Sequence, residues 1–201
     1  MGSQWGCDRT YLRAKHEGYR SRAAYKLLEI QKKFAVIRPD DNVVDLGAAP
    51  GSWLQVLRTL TDGKVVGVDL NGIADLDGVT TVEGDLNDPE VVALVRELLG
   101  TVNIVVCDAA PKLSGHRSYD QARIIELNEQ ALGFAVKVLK QGGNFVIKSF
   151  QGTDFPELYA DIKKNFYSVK TCNTSSSRKG STELYIVAKN FIGDYKPPEE
   201  S

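Results

Sequence analysis

Residues 42–60 read NVVDLGAAPGSWLQVLRTL. The first five make a short, largely apolar strand, 47–52 a loop of glycine, alanine and proline, and 53–60 carry apolar side chains at helical spacing. Strand, small-residue loop and helix in that order begin a βαβ unit, and the pattern recurs along the chain. Segments 64–69 (KVVGVD) and 79–83 read as strands. Asp88 and Pro89 supply an N-cap and a first helical residue for a helix running to about Leu99. A fourth strand, 101–108 (TVNIVVCD), precedes a Pro/Gly/Ser loop at 109–118 and a long helix at 119–140, closed by Gly142-Gly143. Segment 144–149 is a fifth strand, 154–165 a helix, and 167–172 and 183–189 are strands six and seven. Upstream, 21–34 (SRAAYKLLEIQKKF) predicts an amphipathic helix with Ser21 as its N-cap, ended before the Pro39-Asp40-Asp41 turn. Alternating strands and helices predict an α/β fold with an open, doubly wound, mostly parallel seven-stranded sheet.

The chain has 201 residues, 42% of them hydrophobic and 25% charged, which suits one globular domain and argues against wholesale disorder. No apolar run approaches the ~18–20 residues of a membrane helix. A polar and then basic N-terminus without a hydrophobic stretch behind it predicts no signal peptide, and with it a cytoplasmic protein. Cys7, Cys107 and Cys172 are widely spaced and form neither a CxxC pair nor a disulfide framework. With His16 and His116 as the only histidines, no metal site is expected. Charge is unevenly placed: residues 1–38 hold nine Lys/Arg and three acids, whereas the other 163 hold 16 basic and 23 acidic residues. The chain therefore divides into a basic, helical N-terminal segment (1–38) belonging to the same domain, a core (39–192) and a tail (193–201). Interleaving of Trp5, Tyr11, Tyr19 and Tyr25 with Arg9, Arg13, Lys15, Arg20 and Arg22 points to nucleic acid, although a solvated helix face gives a similar charge pattern. Lys163, Lys164, Lys170, Arg178 and Lys179 form a second candidate track for RNA.

In doubly wound sheets ligands bind beyond the carboxyl ends of the strands. The residues there are Asp45, Asp69, Asp85, Asp108 and Lys148. The loop Gly47-Ala48-Ala49-Pro50-Gly51-Ser52 departs from the dinucleotide GxGxxG at its second and last glycines, and Pro50 removes a backbone donor that a pyrophosphate would use. This disfavours a NAD oxidoreductase. S-adenosylmethionine carries no phosphate, and its positive charges suit nearby carboxylates. Asp69 is placed for ribose hydroxyls and Asp85 for the adenine amine.

Five segments, YRSRAAYKL (19–27), GAAPGSW (47–53), CDAAP (107–111), FVIKSFQG (145–152) and SRKGSTELYIV (177–187), closely resemble the FtsJ-like (RlmE-type) ribose 2′-O-methyltransferases of ribosomal RNA, in the family's order. The resemblance spans roughly residues 5–192. It implies a Rossmann-like S-adenosylmethionine-dependent methyltransferase fold whose last strand is antiparallel. It also implies a catalytic tetrad at Lys26, Asp108, Lys148 and Glu183, and cofactor contacts at Gly51, Trp53, Asp69, Asp85 and Asp108. The substrate it implies is a uridine in large-subunit (23S) ribosomal RNA, methylated during ribosome maturation, by an enzyme acting as a monomer. Ser52 departs from the family, where many relatives have a second glycine.

Each of these residues also has a plainer reading. Lys26 alone is a helix-face cation, Glu183 an edge charge, Lys148 a snorkelling strand-end lysine and Trp53 a core residue. Cys107 is a small buried hydrophobe, and His116 is an exposed loop residue. For the lysine two roles stay open: a neutral Lys148 would draw the 2′-hydroxyl proton, and a charged one would stabilise the developing alkoxide. Two other readings of the whole chain also stay open, the same chemistry on a tRNA anticodon loop and a ribosome-assembly RNA-binding protein with vestigial catalysis.

Overall fold

A computed structural model of the chain describes residues 9–111, 114–177 and 180–193. Trp5, Cys7, Arg178, Lys179, the Arg9 side chain and the tail beyond Gly193 lie outside the described parts. The elements are α1 (Arg9–His16), α2 (Ala24–Phe34), β1 (Val43–Leu46), α3 (Ser52–Leu60), β2 (Val65–Asp69), β3 (Val79–Glu83) and α4 (Pro89–Leu99). They continue with β4 (Val102–Cys107), α5 (Arg117–Val138), β5 (Leu139–Phe150), α6 (Phe155–Asn165), β6 (Phe166–Cys172) and β7 (Glu183–Phe191).

The strands form one seven-stranded sheet in the order β3-β2-β1-β4-β5-β7-β6. The β1/β2, β2/β3, β1/β4 and β4/β5 pairs are parallel, and β7 runs antiparallel to both β5 and β6. Strand order reverses between β1 and β4, which opens a crevice at their carboxyl ends.

Both faces are covered, as the near-continuous apolar strands require. Because successive strand residues point to opposite faces, Val44, Leu46, Val105, Cys107, Phe145 and Ile147 join one apolar cluster with α4, α5 and α6. Val43, Ile104, Val106, Val146, Tyr185 and Val187 join the other, under Ala24, Leu27 and Ile30 of α2 and Trp53, Leu54 and Leu57 of α3. By the same alternation Asp45, Asp108, Lys148 and Glu183 belong to the α2 face.

Asp88 caps α4 as its sequence predicts, accepting from the Glu90 N–H at 2.9 Å with Pro89 in the first turn. Two local expectations are corrected. Ser21 does not cap α2, which starts at Ala24 without a side-chain cap; its hydroxyl accepts from the Ala23 N–H and bonds the Ser52 hydroxyl instead, joining the segment before α2 to α3. Nor does α5 run to the glycine pair. It ends at Val138, and 139–143 bulge out of the β4–β5 ladder, whose register jumps from Val102↔Leu139 to Ile104↔Asn144. Gly142 takes φ +79° in that bulge, a conformation that L side chains rarely adopt.

Candidate active site

Lys148 stands opposite Tyr185 in the β5–β7 ladder, two residues along β7 from Glu183. Asp108 follows β4 on the neighbouring strand end, and Lys26 reaches in from the buried side of α2. Lys26 and Lys148 are each only 8% exposed, a state lysine rarely takes unless paired. Lys26 Nζ lies 2.7 Å from Glu183 Oε1 and 4.0 Å from Asp108 Oδ1. Lys148 Nζ lies 3.2 Å from Asp108 Oδ1 and donates to the Asp108 carbonyl. Two lysines and two carboxylates thus alternate in one cluster.

The environment acts on individual groups. Burial pushes the Glu183 carboxyl up, but hydrogen bonds from Lys26 and Ser177, with the charges of Lys26 and Lys148, outweigh it and leave the group below its ordinary range. Tyr185 is buried, packs against Trp53 with ring centroids 5.9 Å apart, and donates to Asp108 Oδ1. Burial, followed by the charges of Asp108 and Glu183, holds its phenol well above the ordinary tyrosine value.

Beside this cluster a cleft of 510 Å³ opens at the carboxyl ends of β1, β2 and β4, lined among others by Gly47, Asp69, Asp85, Asp108 and Ala109. Asp69 Oδ2 accepts from the Ala49 N–H, and Oδ1 from the backbone and side-chain nitrogens of Asn71. Asp85 Oδ1 receives the corresponding pair from Asn87. A small adjoining cavity of 150 Å³ meets Asp45, Ala49, Trp53 and Asp108. Asp45 is 1% exposed, and its Oδ2 has no hydrogen-bond partner. Burial, then the charges of Asp108 and Asp69, push this carboxyl well above its ordinary range.

The cleft gathers Asp69, Asp85 and Asp108 but not Gly51 or Trp53. Gly51, at φ +104°, begins α3, and a Cβ there would come within 2.5 Å of Arg20 Nη1. The Trp53 indole N–H is bonded to the Ala23 carbonyl, so its side chain joins α3 to the chain before α2. No side chain caps the first turn of α3. Arg20 acts as a strap: its guanidinium donates to the carbonyls of Pro50, Ala74 and Asp75, holding the loop after β1 to the loop after β2. Sequence reasoning assigned no role to Tyr185, Ser177 or the Arg20 strap. Alternation from Glu183 was a signal for Tyr185; the bond of Ser177 to Glu183, six residues on, follows no periodic pattern, and the Arg20 strap depends on contacts between distant segments.

The sheet order and the crevice at its switch point define a doubly wound, Rossmann-like fold. The model of the FtsJ-like methyltransferase family matches residues 19–191. The chain is 72% identical over 193 residues to the ribosomal RNA large subunit methyltransferase E of Methanoregula boonei, covering 96% of this chain and all of that one. It is 64% identical over 201 residues to the protein of the same name from Methanospirillum hungatei, covering all of this chain and 97% of the relative. A crystal structure of a ribosomal RNA methyltransferase from Plasmodium falciparum superposes with a TM-score of 0.78 at 28% identity, over 87% of this chain and the whole of that one. The chain belongs to the FtsJ-like methyltransferase family. Among the described residues no helix is long and apolar enough to cross a membrane, and no group of three or more His, Cys, Asp or Glu is placed to hold a metal ion.

Proposed function

We propose that the protein transfers a methyl group from S-adenosylmethionine to a ribose 2′-hydroxyl, that of a uridine in large-subunit (23S) ribosomal RNA during ribosome maturation. The observation that carries this reading is the pairing of Lys148 with Asp108 and of Lys26 with Glu183 beside the cleft. A weakly acidic hydroxyl needs a proton acceptor and a cation near its oxygen, and this cluster contains a group for each. The large-subunit target is supported by the names of the Methanoregula and Methanospirillum relatives.

The residues present fit this cofactor. Asp45 has a buried, unpartnered oxygen suited to a cationic group, and the uncapped first turn of α3 suits a carboxylate. Asp69 would hold the ribose and Asp85 the adenine amine, with Gly51 and Trp53 shaping the loop. When bound, the cofactor supplies an electrophilic methyl group on a sulfonium sulfur.

Lys148 accepts the 2′-hydroxyl proton at Nζ, and Asp108 fixes that amine through its carbonyl and carboxylate. Lys26, gripped by Glu183, presents its ammonium to the oxygen as negative charge develops there. Holding nucleophile and acceptor in one geometry contributes alongside the proton transfer.

The test is to incubate the protein with labelled S-adenosylmethionine and, separately, large ribosomal subunits, naked ribosomal RNA and tRNA. The modified nucleotide is then mapped by its resistance to alkaline cleavage, which a 2′-O-methyl group confers. Label at an alkali-resistant uridine of the large subunit is expected. Label on a base overturns the 2′-hydroxyl assignment, label on an anticodon loop overturns the ribosomal target, and no transfer to any RNA leaves a binding protein.

A further inference from the structure

Residues 173–177, which follow β6, pass beside α2 and meet carboxylates at two points. Glu29 of α2 accepts from the Ser175 N–H at 2.7 Å and hydroxyl at 2.9 Å, and from the Ser176 hydroxyl at 2.5 Å. Ser177 Oγ then donates to Glu183 Oε1 at 2.7 Å. A serine hydroxyl has one proton, so Thr174, whose hydroxyl lies 2.8 Å from that of Ser177, is the donor in their contact. The one proton of the Ser177 hydroxyl is thereby committed to Glu183. The oxygen that it engages, Glu183 Oε1, is the one 2.7 Å from Lys26 Nζ. Two donors converging on one carboxylate oxygen fix the rotation of that carboxylate, where a single donor would let it swing and carry the lysine with it.

We propose that Ser177 is a positioning residue for methyl transfer: its hydroxyl orients the Glu183 carboxylate that holds Lys26, and Glu29 anchors the loop that carries it. The inference rests on the role of Lys26 given under Proposed function. Ser177 itself bonds Glu183 and Thr174 and acts through them. The Glu29 clamp would secure the loop without Ser177, so the hydroxyl on Glu183 serves the cluster and not the loop's attachment. Charge-assisted hydrogen bonds of this kind are short and directional, and a misplacement of about 1 Å near the reacting atoms can cost on the order of 10²-fold in rate.

The experiment compares wild type, Ser177→Ala and Ser177→Thr for single-turnover methyl transfer at saturating RNA and S-adenosylmethionine. Cofactor Kd by calorimetry, RNA Kd and thermal midpoint are measured on the same preparations. Ser177→Ala is expected to lower the rate about tenfold, with both Kd values within twofold of wild type, because a misalignment smaller than about 1 Å is felt in the reaction and not in binding. Ser177→Thr, which keeps the hydroxyl, should recover most of that rate. Glu29→Ala should give a smaller loss of the same kind. An unchanged rate in Ser177→Ala overturns the inference, as does an equal loss in the Thr variant or a loss that appears in either Kd. A wild type that methylates no RNA overturns the function proposed for the site and this inference with it, whereas an active wild type matched by Ser177→Ala overturns the positioning role alone.

Discussion

At the β1–β2–β3 end of the sheet, carboxylates bind backbone and amide nitrogens of their own or the adjoining loop: Asp69 holds Asn71 beside it and Ala49 of the loop after β1, and Asp85 holds Asn87. At the β4–β5–β7 end they bind lysines brought from other parts of the chain: Asp108 holds Lys148, and Glu183 holds Lys26. The first arrangement is local and stiffens a cleft before any ligand arrives. The second is tertiary, existing only once α2 has docked on the sheet and β7 has paired with β5. A methyltransferase needs both, a preformed seat for a donor and an aligned set of charges for the acceptor, and here the two meet at Asp108, which lines the cleft and bonds Lys148.

The sharpest way to break this division is at Lys148. Lys148→Ala should lose methyl transfer by at least ~10²–10⁴-fold, the usual contribution of a general acid–base group, while calorimetric affinity for S-adenosylmethionine and gel-shift affinity for RNA stay within a few-fold. Arginine retains the charge but does not become neutral at working pH, so Lys148→Arg should be nearly as inactive. Substantial activity in the Arg variant would reassign Lys148 from proton acceptor to steering cation.

At the other end the effect should fall on binding. Asp85→Ala is expected to weaken S-adenosylmethionine binding by ~1 kcal/mol, the net scale of one hydrogen bond from an exposed carboxylate, with single-turnover rate at saturating cofactor little changed. A rate defect at saturation would show that the two ends are not separable. The basic segment gives a third, smaller effect. Neutralising Arg13, Lys15 and Arg22 should reduce the log–log salt slope of RNA binding by a little under one unit for each phosphate left without its cation. Arg20→Ala, by contrast, should leave that slope alone and weaken cofactor binding, because its guanidinium holds Pro50 and Ala74. A changed slope in Arg20→Ala would return that residue to the RNA track.

The local and tertiary ends also differ in how far the sequence discloses them. Asp69, Asp85 and Asp108 each close an apolar run or open a polar turn, and Asp45 stands one residue before the end of its strand, so strand ends and their acids were readable together, as was the βαβ order. Lys26 and Glu183 had no such signal. A lysine on an amphipathic helix resembles a solvated one until the helix is docked, and only resemblance to a family singled it out. Tyr185 is a core aromatic by burial, and alternation from Glu183 sets it on the same face as the lysines. Gly142-Gly143 carried the pattern of a helix stop and proved to be a strand bulge, because a positive φ serves either. Ser21 had the chemistry of a cap, but α2 starts three residues later, at Ala24, and the Ser21 oxygen accepts from the Ala23 N–H before it.

Asp45 offers the finest test, because it belongs to the cofactor end by position but has the unmet valence of neither end. Its Oδ2 is buried without a partner, and burial with the charges of Asp108 and Asp69 raises its carboxyl well above the ordinary range. A carboxyl raised in the folded state contributes stability that is fully present below its unfolded value of about 3.9 and is lost as pH rises through the folded value. Glu183, lowered in the fold, has the opposite sign and contributes stability that is lost as pH falls. Asp45→Asn removes the first term and leaves the second. Without cofactor, the variant should therefore melt higher than wild type at pH 8, by about 2–4 °C for each kcal/mol recovered in a chain of this size, and the two should converge toward pH 4. Saturating S-adenosylmethionine should reverse the order at pH 8, because binding to the native state stabilises in proportion to affinity and asparagine lacks the negative charge that a cationic ligand would meet. A variant that melts lower than wild type without cofactor at pH 8 would mean that Asp45 is already satisfied inside the fold, and the strand-end acid would then serve structure in the way that Asp69 holds Ala49.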